Sequence, residues 1–153
     1  MLNMELILWR HAEAEDDTGE GDLARKLTPK GRQQAAHLAL WLKSRLPKQT
    51  ILMSSEAVRA QQTLRFLSRD TTLVPALNPD QSPASLLEAI KWPQHPAVLV
   101  VGHQPTLGLV ASHLLGSAQP WSLKKGAMIW LTHRVREDIP QTILRCAIAP
   151  DFL

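Results

Sequence analysis

The amino-acid sequence predicts an α/β protein with three layers, α/β/α, in which helices cover both faces of a mostly parallel central sheet. Two observations lead to this fold class. Short apolar runs alternate along the chain with segments of helical periodicity, and the clearest run, residues 97–101 (AVLVV), is apolar throughout. Strands that are apolar on both faces are typical of sheets buried between two helical layers. The length of 153 residues favours a single domain, residues 1–153.

The predicted elements alternate between strand and helix over most of the chain. The strands are expected at residues 4–9, 50–53, 72–74, 97–101, 127–132 and 142–148. The helices between them are expected to begin at Thr28, Ser55, Ser82 and Pro105. Threonine and serine are favoured before a helix because their hydroxyl oxygen accepts a hydrogen bond from a backbone N–H of the first turn, and proline suits the first helical position. Pro47 and Gly116 mark the ends of the first and last helix.

Composition excludes several functions. The 17 basic residues exceed the 14 acidic ones by a formal net charge of +3, and without a long block of Lys and Arg this excess does not indicate nucleic-acid binding. Cys146 is the single cysteine, so neither an internal disulfide nor a cysteine-based zinc site can form. No apolar run approaches the roughly 20 residues of a membrane span, and residues 1–11 are too short and too soon charged for a signal peptide. We therefore expect a cytoplasmic protein without a membrane segment.

Two histidines follow predicted strands at the edge of the sheet where ligands bind. Arg10 and His11 come directly after the first strand, and His103 follows the strand at residues 97–101. In open α/β sheets the ligand crevice lies beyond the carboxyl ends of the strands. Arg59 lies near the start of the second helix, where anions are favoured. A neutral histidine that attacks phosphorus, beside cationic groups that hold the phosphate oxygens, is what phosphoryl transfer to an imidazole requires.

Four segments, in order along about two thirds of the chain, resemble motifs of the histidine phosphatase superfamily. They are residues 8–14 (LWRHAEA), with the Arg-His signature; 27–35 (LTPKGRQQA), similar to LTPxGxxQA; 55–63 (SEAVRAQQT), similar to SPxxRAxQT; and 101–105 (VGHQP), similar to VGHxP. The Arg-His pair alone is weakly specific, but four ordered matches are strong. The small size and the segment 123–127 (LKKGA) make the whole chain similar to the SixA-type phosphohistidine phosphatases.

This resemblance implies both a fold and a mechanism. The implied fold is the minimal core of the phosphoglycerate mutase-like architecture. The implied mechanism uses His11 as the nucleophile, which carries the phosphoryl group as a covalent phosphohistidine, while Arg10, Arg59 and His103 form the phosphate pocket. No metal or cofactor takes part. The implied partner is a phosphorylated protein substrate, such as a histidine phosphotransfer domain of a signalling relay or a component of a sugar-transport phosphorelay.

The chain departs from the family pattern at the position of the general acid. Acid-phosphatase members carry an aspartate directly after the second histidine, where this chain has Gln104; Asp80 or Glu88 is the candidate for the acid of mutase-like members. A phosphate ester benefits from protonation of its leaving oxygen, whereas phosphohistidine leaves readily as imidazole once its ring is protonated. The missing acid therefore favours phosphohistidine. The alternatives are a phosphomonoesterase or mutase for a small metabolite and a non-catalytic phosphoprotein-binding module.

Charged residues near these motifs give further candidates. Arg25 stands where related sequences often have arginine, which suggests a supporting role near the phosphate. Six acidic residues between positions 13 and 22 lack the ligand spacing of a calcium loop, so we expect a solvated loop beside the active site. Lys124 and Lys125 either meet an acidic protein substrate or form a turn before a strand.

Overall fold

The chain forms six strands and four α-helices over residues 3–153, the part that the computed structural model describes. The strands are β1 (Met4–Arg10), β2 (Ile51–Ser54), β3 (Thr72–Leu73), β4 (Ala97–Gly102), β5 (Met128–Arg136) and β6 (Ile139–Ile148). The helices are α1 (Pro29–Lys43), α2 (Val58–Arg65), α3 (Pro83–Ala89) and α4 (Thr106–Leu115). None of the helices in this part of the chain is long and apolar enough to cross a membrane.

One sheet contains all six strands in the order β3-β2-β4-β1-β5-β6. The pairs β3–β2, β2–β4 and β4–β1 are parallel, whereas β5 pairs antiparallel with both β1 and β6. Parallel neighbours need a crossover connection, which the helices provide, whereas a short hairpin joins β5 to β6. The predicted α/β class with a mostly parallel central sheet is therefore confirmed.

Helices cover both faces of this sheet, and the side chains of each central strand alternate between two hydrophobic cores. Leu6 and Leu8 of β1 pack with residues of α3 and α4, whereas Ile7 and Trp9 pack with residues of α1 and α2. All residues of β4, which lies between β1 and β2, are buried. Successive side chains of a strand face opposite sides of the sheet, so a strand between two helical layers must be apolar at every position. The three predicted layers are confirmed.

Two helix boundaries differ from the predicted ones. Ser55 does not cap α2, which begins at Val58 after Ala57. The Ser55 hydroxyl accepts a hydrogen bond from the N–H of Ala57 at 3.0 Å, so it closes a turn ahead of the helix and the prediction of an N-cap is wrong. The helix α1 ends at Lys43, before Pro47 is reached, so the proline is not the residue that stops it.

The hairpin of β5 and β6 is longer than the sequence predicts. Arg136 pairs with Ile139, so the turn consists of the two residues Glu137 and Asp138. Their φ angles are 52° and 62°, in the left-handed region that a type I′ hairpin turn requires at both central positions. Asn-Gly or Asp-Gly usually marks this turn, so the Glu-Asp pair gave no signal that the strands continue to it.

The carboxyl ends of β1, β2 and β4 lie side by side, and each strand is followed at once by a polar residue: His11, Ser55 and His103. The backbone connects them, because the N–H of His11 donates to the carbonyl oxygen of Gly102 at 3.1 Å and the N–H of Ser55 donates to that of Val101 at 3.0 Å. The sheet therefore brings together side chains that are far apart in the sequence, at the edge where α/β proteins bind ligands.

Candidate functional site

His11 is placed by the end of β1 and is 7% exposed. Its Nδ1 lies 2.7 Å from the carbonyl oxygen of Ala12. Because a carbonyl oxygen can only accept a hydrogen bond, Nδ1 carries the proton and Nε2 keeps its lone pair. The Nε of Arg59 donates to this Nε2 over 3.4 Å. The nitrogen that can attack phosphorus is therefore unprotonated and faces a cation.

Arg59 lies in the first turn of α2 and is 3% exposed. The inner side of its guanidinium makes two long contacts, from Nε to His11 Nε2 and from Nη2 to His103 Nδ1, both at 3.4 Å. Its outer side makes two shorter contacts, both to Asp22. A guanidinium can hold two oxygens of one phosphate group, and the inner side, with its long contacts, is the side that faces both histidines.

His103 follows β4 and is 4% exposed. Since the Nη2 of Arg59 can only donate, the Nδ1 of His103 is an acceptor, and its Nε2 carries the proton toward the Ser55 hydroxyl oxygen at 2.8 Å. The ring centroids of His11 and His103 are 5.1 Å apart. Ser55 thus orients the second histidine, a role that the sequence analysis did not assign to it. The available signal was the position of Ser55 at the start of the motif that contains Arg59.

Both histidines are neutral at neutral pH. Burial is the main cause that lowers the pKa of His11 to about 4. The charges of Arg59 and Arg10 act in the same direction, whereas the hydrogen bond to Ala12 raises this pKa. Burial likewise lowers the pKa of His103 to about 3, with further lowering by His11 and Arg59. A neutral imidazole is the form that can act as a nucleophile. The site therefore holds both imidazoles in the form that is able to act as a nucleophile at physiological pH.

Asp22 is a site residue that the sequence did not single out. Its carboxylate accepts from Arg59 Nη2 at 2.9 Å and from Arg25 Nη1 at 3.0 Å, and its carbonyl oxygen accepts from Arg59 Nη1 at 2.7 Å. Partial burial raises the pKa of Asp22, but the hydrogen bonds and charges of Arg25 and Arg59 outweigh it and lower that pKa below its ordinary value. The ionised carboxylate thus holds the outer side of Arg59. In the sequence it was one of six similar acidic residues.

The loop that carries Asp22, residues 12–28, is called here the rim loop. Two side chains of α2 hold its ends, since Thr63 accepts from the N–H of Ala12 at 3.0 Å and Gln62 accepts from the N–H of Leu27 at 2.8 Å. Gln34 of α1 accepts a third N–H of the loop at 2.9 Å. The glutamines and the threonine of the two helix motifs therefore position the loop rather than the phosphate.

Arg10 adjoins His11 in sequence, but its guanidinium is not bonded to the histidines. Its Nη1 donates to the carbonyl oxygen of Leu123 at 2.7 Å, and its buried Nε has no hydrogen-bond partner among residues 3–153. Burial lowers the pKa of Arg10. The side chain lines a cleft of about 590 Å³, and its charge still contributes to the low pKa of His11. The structure thus joins His11, Arg59 and His103 directly and leaves Arg10 beside them.

The other predicted candidates lie outside this cluster. Arg25 donates to the carbonyl oxygen of Glu15 at 2.7 Å and is linked to Arg59 only through Asp22. Asp80 and Glu88 are exposed, and within residues 3–153 neither makes a hydrogen bond or ion pair with the cluster. Nor does the described part of the chain group three or more His, Cys, Asp or Glu side chains as a metal site would.

Gln104 stands at the position where acid phosphatases carry an aspartate, and both ends of its side-chain amide are hydrogen-bonded to the backbone. Its Oε1 accepts from the N–H of Gly108 at 2.8 Å, and its Nε2 donates to the carbonyl oxygen of Trp121 at 3.1 Å. An amide cannot supply a proton to a leaving group as a carboxylic acid does. The side chain instead fixes the start of α4 against the segment around Trp121.

Comparison with known proteins gives the family of the chain. Residues 6–80 match the family model of the histidine phosphatase superfamily, branch 1. A SixA phosphohistidine phosphatase homologue from Haemophilus influenzae is 30% identical over 135 residues, which cover 78% of this chain and 82% of that protein. An uncharacterised protein from Mycobacterium tuberculosis is 32% identical over 108 residues, which cover 67% of this chain and 66% of that protein.

A solved structure has the same fold. The protein histidine phosphatase SixA, complexed with tungstate, superimposes with a TM-score of 0.79 at 23% identity, over 97% of this chain and 99% of that one. This likeness shows the fold, which is the one that the family match predicts. The chain belongs to the histidine phosphatase superfamily.

Proposed function

We propose that this protein removes the phosphoryl group from phosphohistidine in a protein substrate, through a covalent intermediate on His11. One observation carries the proposal. The Nε2 of His11 is an unprotonated nitrogen, fixed by the bond from Nδ1 to Ala12 and facing the guanidinium of Arg59. Its low pKa keeps it nucleophilic at neutral pH.

In the first step, the lone pair of His11 Nε2 forms a bond to phosphorus while the bond from phosphorus to the substrate nitrogen breaks. The electron pair of that bond stays on the substrate imidazole, which leaves as a neutral ring because its other nitrogen already carries a proton. In the second step, water attacks phosphorus and the electron pair returns to Nε2. Inorganic phosphate and one proton are released, and His11 is restored.

Charge stabilisation comes from the residues around Nε2. Arg59 presents Nε and Nη2 on the side that faces both histidines, which suits two oxygens of the transferring group. Arg10 adds positive charge beside His11. Once a phosphoryl group is bound, its negative charge favours a protonated His103, whose Nδ1 then donates to an oxygen. Phosphoryl transfer has a loose transition state, so positioning and charge account for most of the catalysis.

Neither Gln104 nor Asp22 can protonate a leaving oxygen, and this favours phosphohistidine over a phosphate ester as the substrate. The position of the acid in acid phosphatases is Gln104, whose amide is bonded to the backbone. Asp22 lies close, but its lowered pKa keeps it ionised and it cannot give up a proton. An imidazole leaving group needs no such acid, because its ring is already protonated. The name of the Haemophilus influenzae relative, a phosphohistidine phosphatase homologue, agrees with this substrate.

The proposal includes three expectations from the sequence: a phosphorylated signalling or phosphorelay protein as the substrate, a cytoplasmic location, and catalysis without a metal. The site residues Arg10, His11, Arg59 and His103 keep the roles that the sequence suggested for them. The matched region spans 66% of the length of the Mycobacterium tuberculosis relative.

The experiment compares turnover of a histidine-phosphorylated protein with turnover of an alkyl phosphate ester, glycerol 2-phosphate, whose alkoxide leaving group needs a proton; both are measured in the presence of a chelator. We expect efficient loss of phosphohistidine, weak ester hydrolysis, and no activity in the variant His11→Ala. His113→Ala is the matched control, because His113 is an exposed histidine of α4 outside the site. Rapid ester turnover would favour the metabolite phosphatase instead, and phosphate-dependent binding without turnover would favour the binding module.

A further inference from the structure

A basic cleft lies next to the candidate site. It has a volume of about 590 Å³ and is formed by the end of β1, the start of the rim loop, α1, the turn that contains Lys124 and Lys125, and the end of the chain after β6. The charged side chains that line it are Arg10, Lys30, Lys124, Lys125, Glu13 and Asp151. The three lysines are exposed. We define the basic cleft by these six residues.

Hydrogen bonds hold one wall of the basic cleft, the turn of Lys124 and Lys125, against the end of β1 and against His11. The N–H of Gly126 donates to the carbonyl oxygen of His11 at 3.0 Å, and the indole N–H of Trp9 donates to the carbonyl oxygen of Gly126 at 3.0 Å. The N–H of Arg10 donates to the carbonyl oxygen of Ala127 at 2.9 Å. The turn that carries the two lysines is thus held directly against His11. A molecule bound in the cleft is a neighbour of the nucleophile.

The positive charge of the basic cleft is not neutralised by the protein. Four cationic side chains line it against two carboxylates, and one of these, on Glu13, already accepts from the hydroxyl of Thr28 at 2.7 Å. Within residues 3–153 none of the three lysines takes part in an ion pair. The cleft therefore offers its charge to an anionic partner.

The form of the basic cleft fits a segment of a protein better than a small anion. Its lysines are exposed and come from two different elements, α1 and the turn before β5. A small phosphate is held by several converging donors at short range, whereas long flexible lysines spread over a wide cleft suit several carboxylates of a chain segment. Four acidic residues of the rim loop lie outside the basic cleft and repel an acidic segment, which is thereby directed toward the cleft; they are Glu15, Asp16, Asp17 and Glu20.

We propose that the basic cleft is the docking site for an acidic segment of the phosphohistidine-bearing protein substrate. This inference rests on the proposed function, because it assigns the surface that selects the protein which the site dephosphorylates. Docking here acts on substrate affinity and not on the chemical step. It also predicts a strong salt dependence, since the charges are exposed.

The experiment uses three synthetic peptides with the same phosphohistidine, flanked by acidic, neutral or basic residues, together with N-phosphoimidazole as a probe too small to dock. The test variant carries Lys30→Glu, Lys124→Glu and Lys125→Glu. The control variant reverses three charges that do not line the cleft, Lys43→Glu, Lys48→Glu and Arg69→Glu. Binding of the unphosphorylated acidic peptide is measured alongside turnover, because it does not depend on catalysis.

We expect the native protein to prefer the acidic peptide over the neutral one by about tenfold in kcat/KM, mainly through KM. The test variant should lose this preference and keep its turnover of N-phosphoimidazole, while the control variant keeps both. Equal turnover of the three peptides, or equal effects of the two variants, would overturn the inference. If the acidic peptide binds to the cleft but no phosphohistidine probe is turned over, the docking site stands and the proposed function fails.

Discussion

Two regions of the site are built in different ways. His11, Arg59 and His103 are 7%, 3% and 4% exposed and follow or begin buried elements of the core. The rim loop is mostly exposed, and its Asp22 has a side chain that is 52% exposed. Yet Asp22 holds the outer side of the buried Arg59. The core thus provides the groups proposed to react, whereas a solvated loop sets the orientation of one of them.

The largest effect is expected from the buried region. Arg59→Ala should lower kcat by about 100- to 1000-fold, because it removes the paired donors that stabilise charge on the transferring group. Arg59→Lys should recover only a small part, since lysine lacks the planar fork. Arg65→Ala, an exposed arginine of the same helix, is the control. Steady-state kinetics measures all three, and equal losses in Arg59→Ala and Arg65→Ala would contradict the assignment.

The buried histidines should also make stability depend on pH. Their pKa values of about 4 and about 3 lie below the ordinary value of 6.5, so below pH 6.5 the unfolded chain binds protons that the folded chain does not. Stability is therefore fully present above pH 6.5 and falls as the pH is lowered toward 4. At pH 5 the loss is on the order of 2 kcal/mol for each histidine.

Urea unfolding at pH 7 and pH 5 measures this loss, and the informative quantity is the difference between the native protein and His103→Ala. The variant should lose less stability between the two pH values, because one of the two buried histidines is gone. His113→Ala should behave like the native protein, since His113 is exposed. The same pH dependence in His103→Ala and in the native protein would show that His103 is not held neutral by burial.

A smaller effect is expected from the rim loop. Asp22→Ala should lower kcat by about tenfold, because Arg59 loses the side-chain contact, one of its two outer contacts to residue 22, and becomes less well positioned. Asp22→Asn should be milder, since its amide oxygen can still accept from Nη2. Asp16→Ala, another exposed acidic residue of the loop, should have no effect. If Asn and Ala at position 22 are equally damaging while the fold is intact, the hydrogen bond to Arg59 is not what matters.

The smallest effects are expected outside both regions. Asp80→Asn and Glu88→Gln should change the turnover of phosphohistidine by less than about twofold, because neither side chain reaches the cluster. Loss of a true general acid costs about 100-fold or more. A loss of that size in either variant, above all with an ester substrate, would show that one of them supplies the missing acid.

The sequence predicted the buried region well for a physical reason. A buried and mostly apolar strand that is followed by a histidine places that histidine at the ligand edge of the sheet; His11 follows β1 and His103 follows β4 in this way. The role of Arg59 depends on the first turn of a helix, which local sequence also determines. The rim loop was not predictable in this way. Which acidic residue of the loop contacts Arg59 depends on the side chains of α2 that hold the loop in place, and that residue is Asp22.

Gly31 illustrates how motif and structure meet. The sequence showed only that a glycine follows Thr28 and Pro29 in a family motif. In the structure, a Cβ at this position would collide with the backbone of Glu13, so the glycine lets the rim loop pack directly on α1. Such a contact between a helix and a distant loop has no local signal, which is why the position of the loop followed only from the fold.

The most direct test of the account is to trap the intermediate. The protein is mixed with a histidine-phosphorylated protein, quenched within milliseconds in alkali, which preserves phosphohistidine, and digested for mass spectrometry. We expect one phosphoryl group on His11, which is absent from His11→Ala and present in His113→Ala. Steady turnover with no phosphate on His11, or with phosphate on another residue, would contradict it.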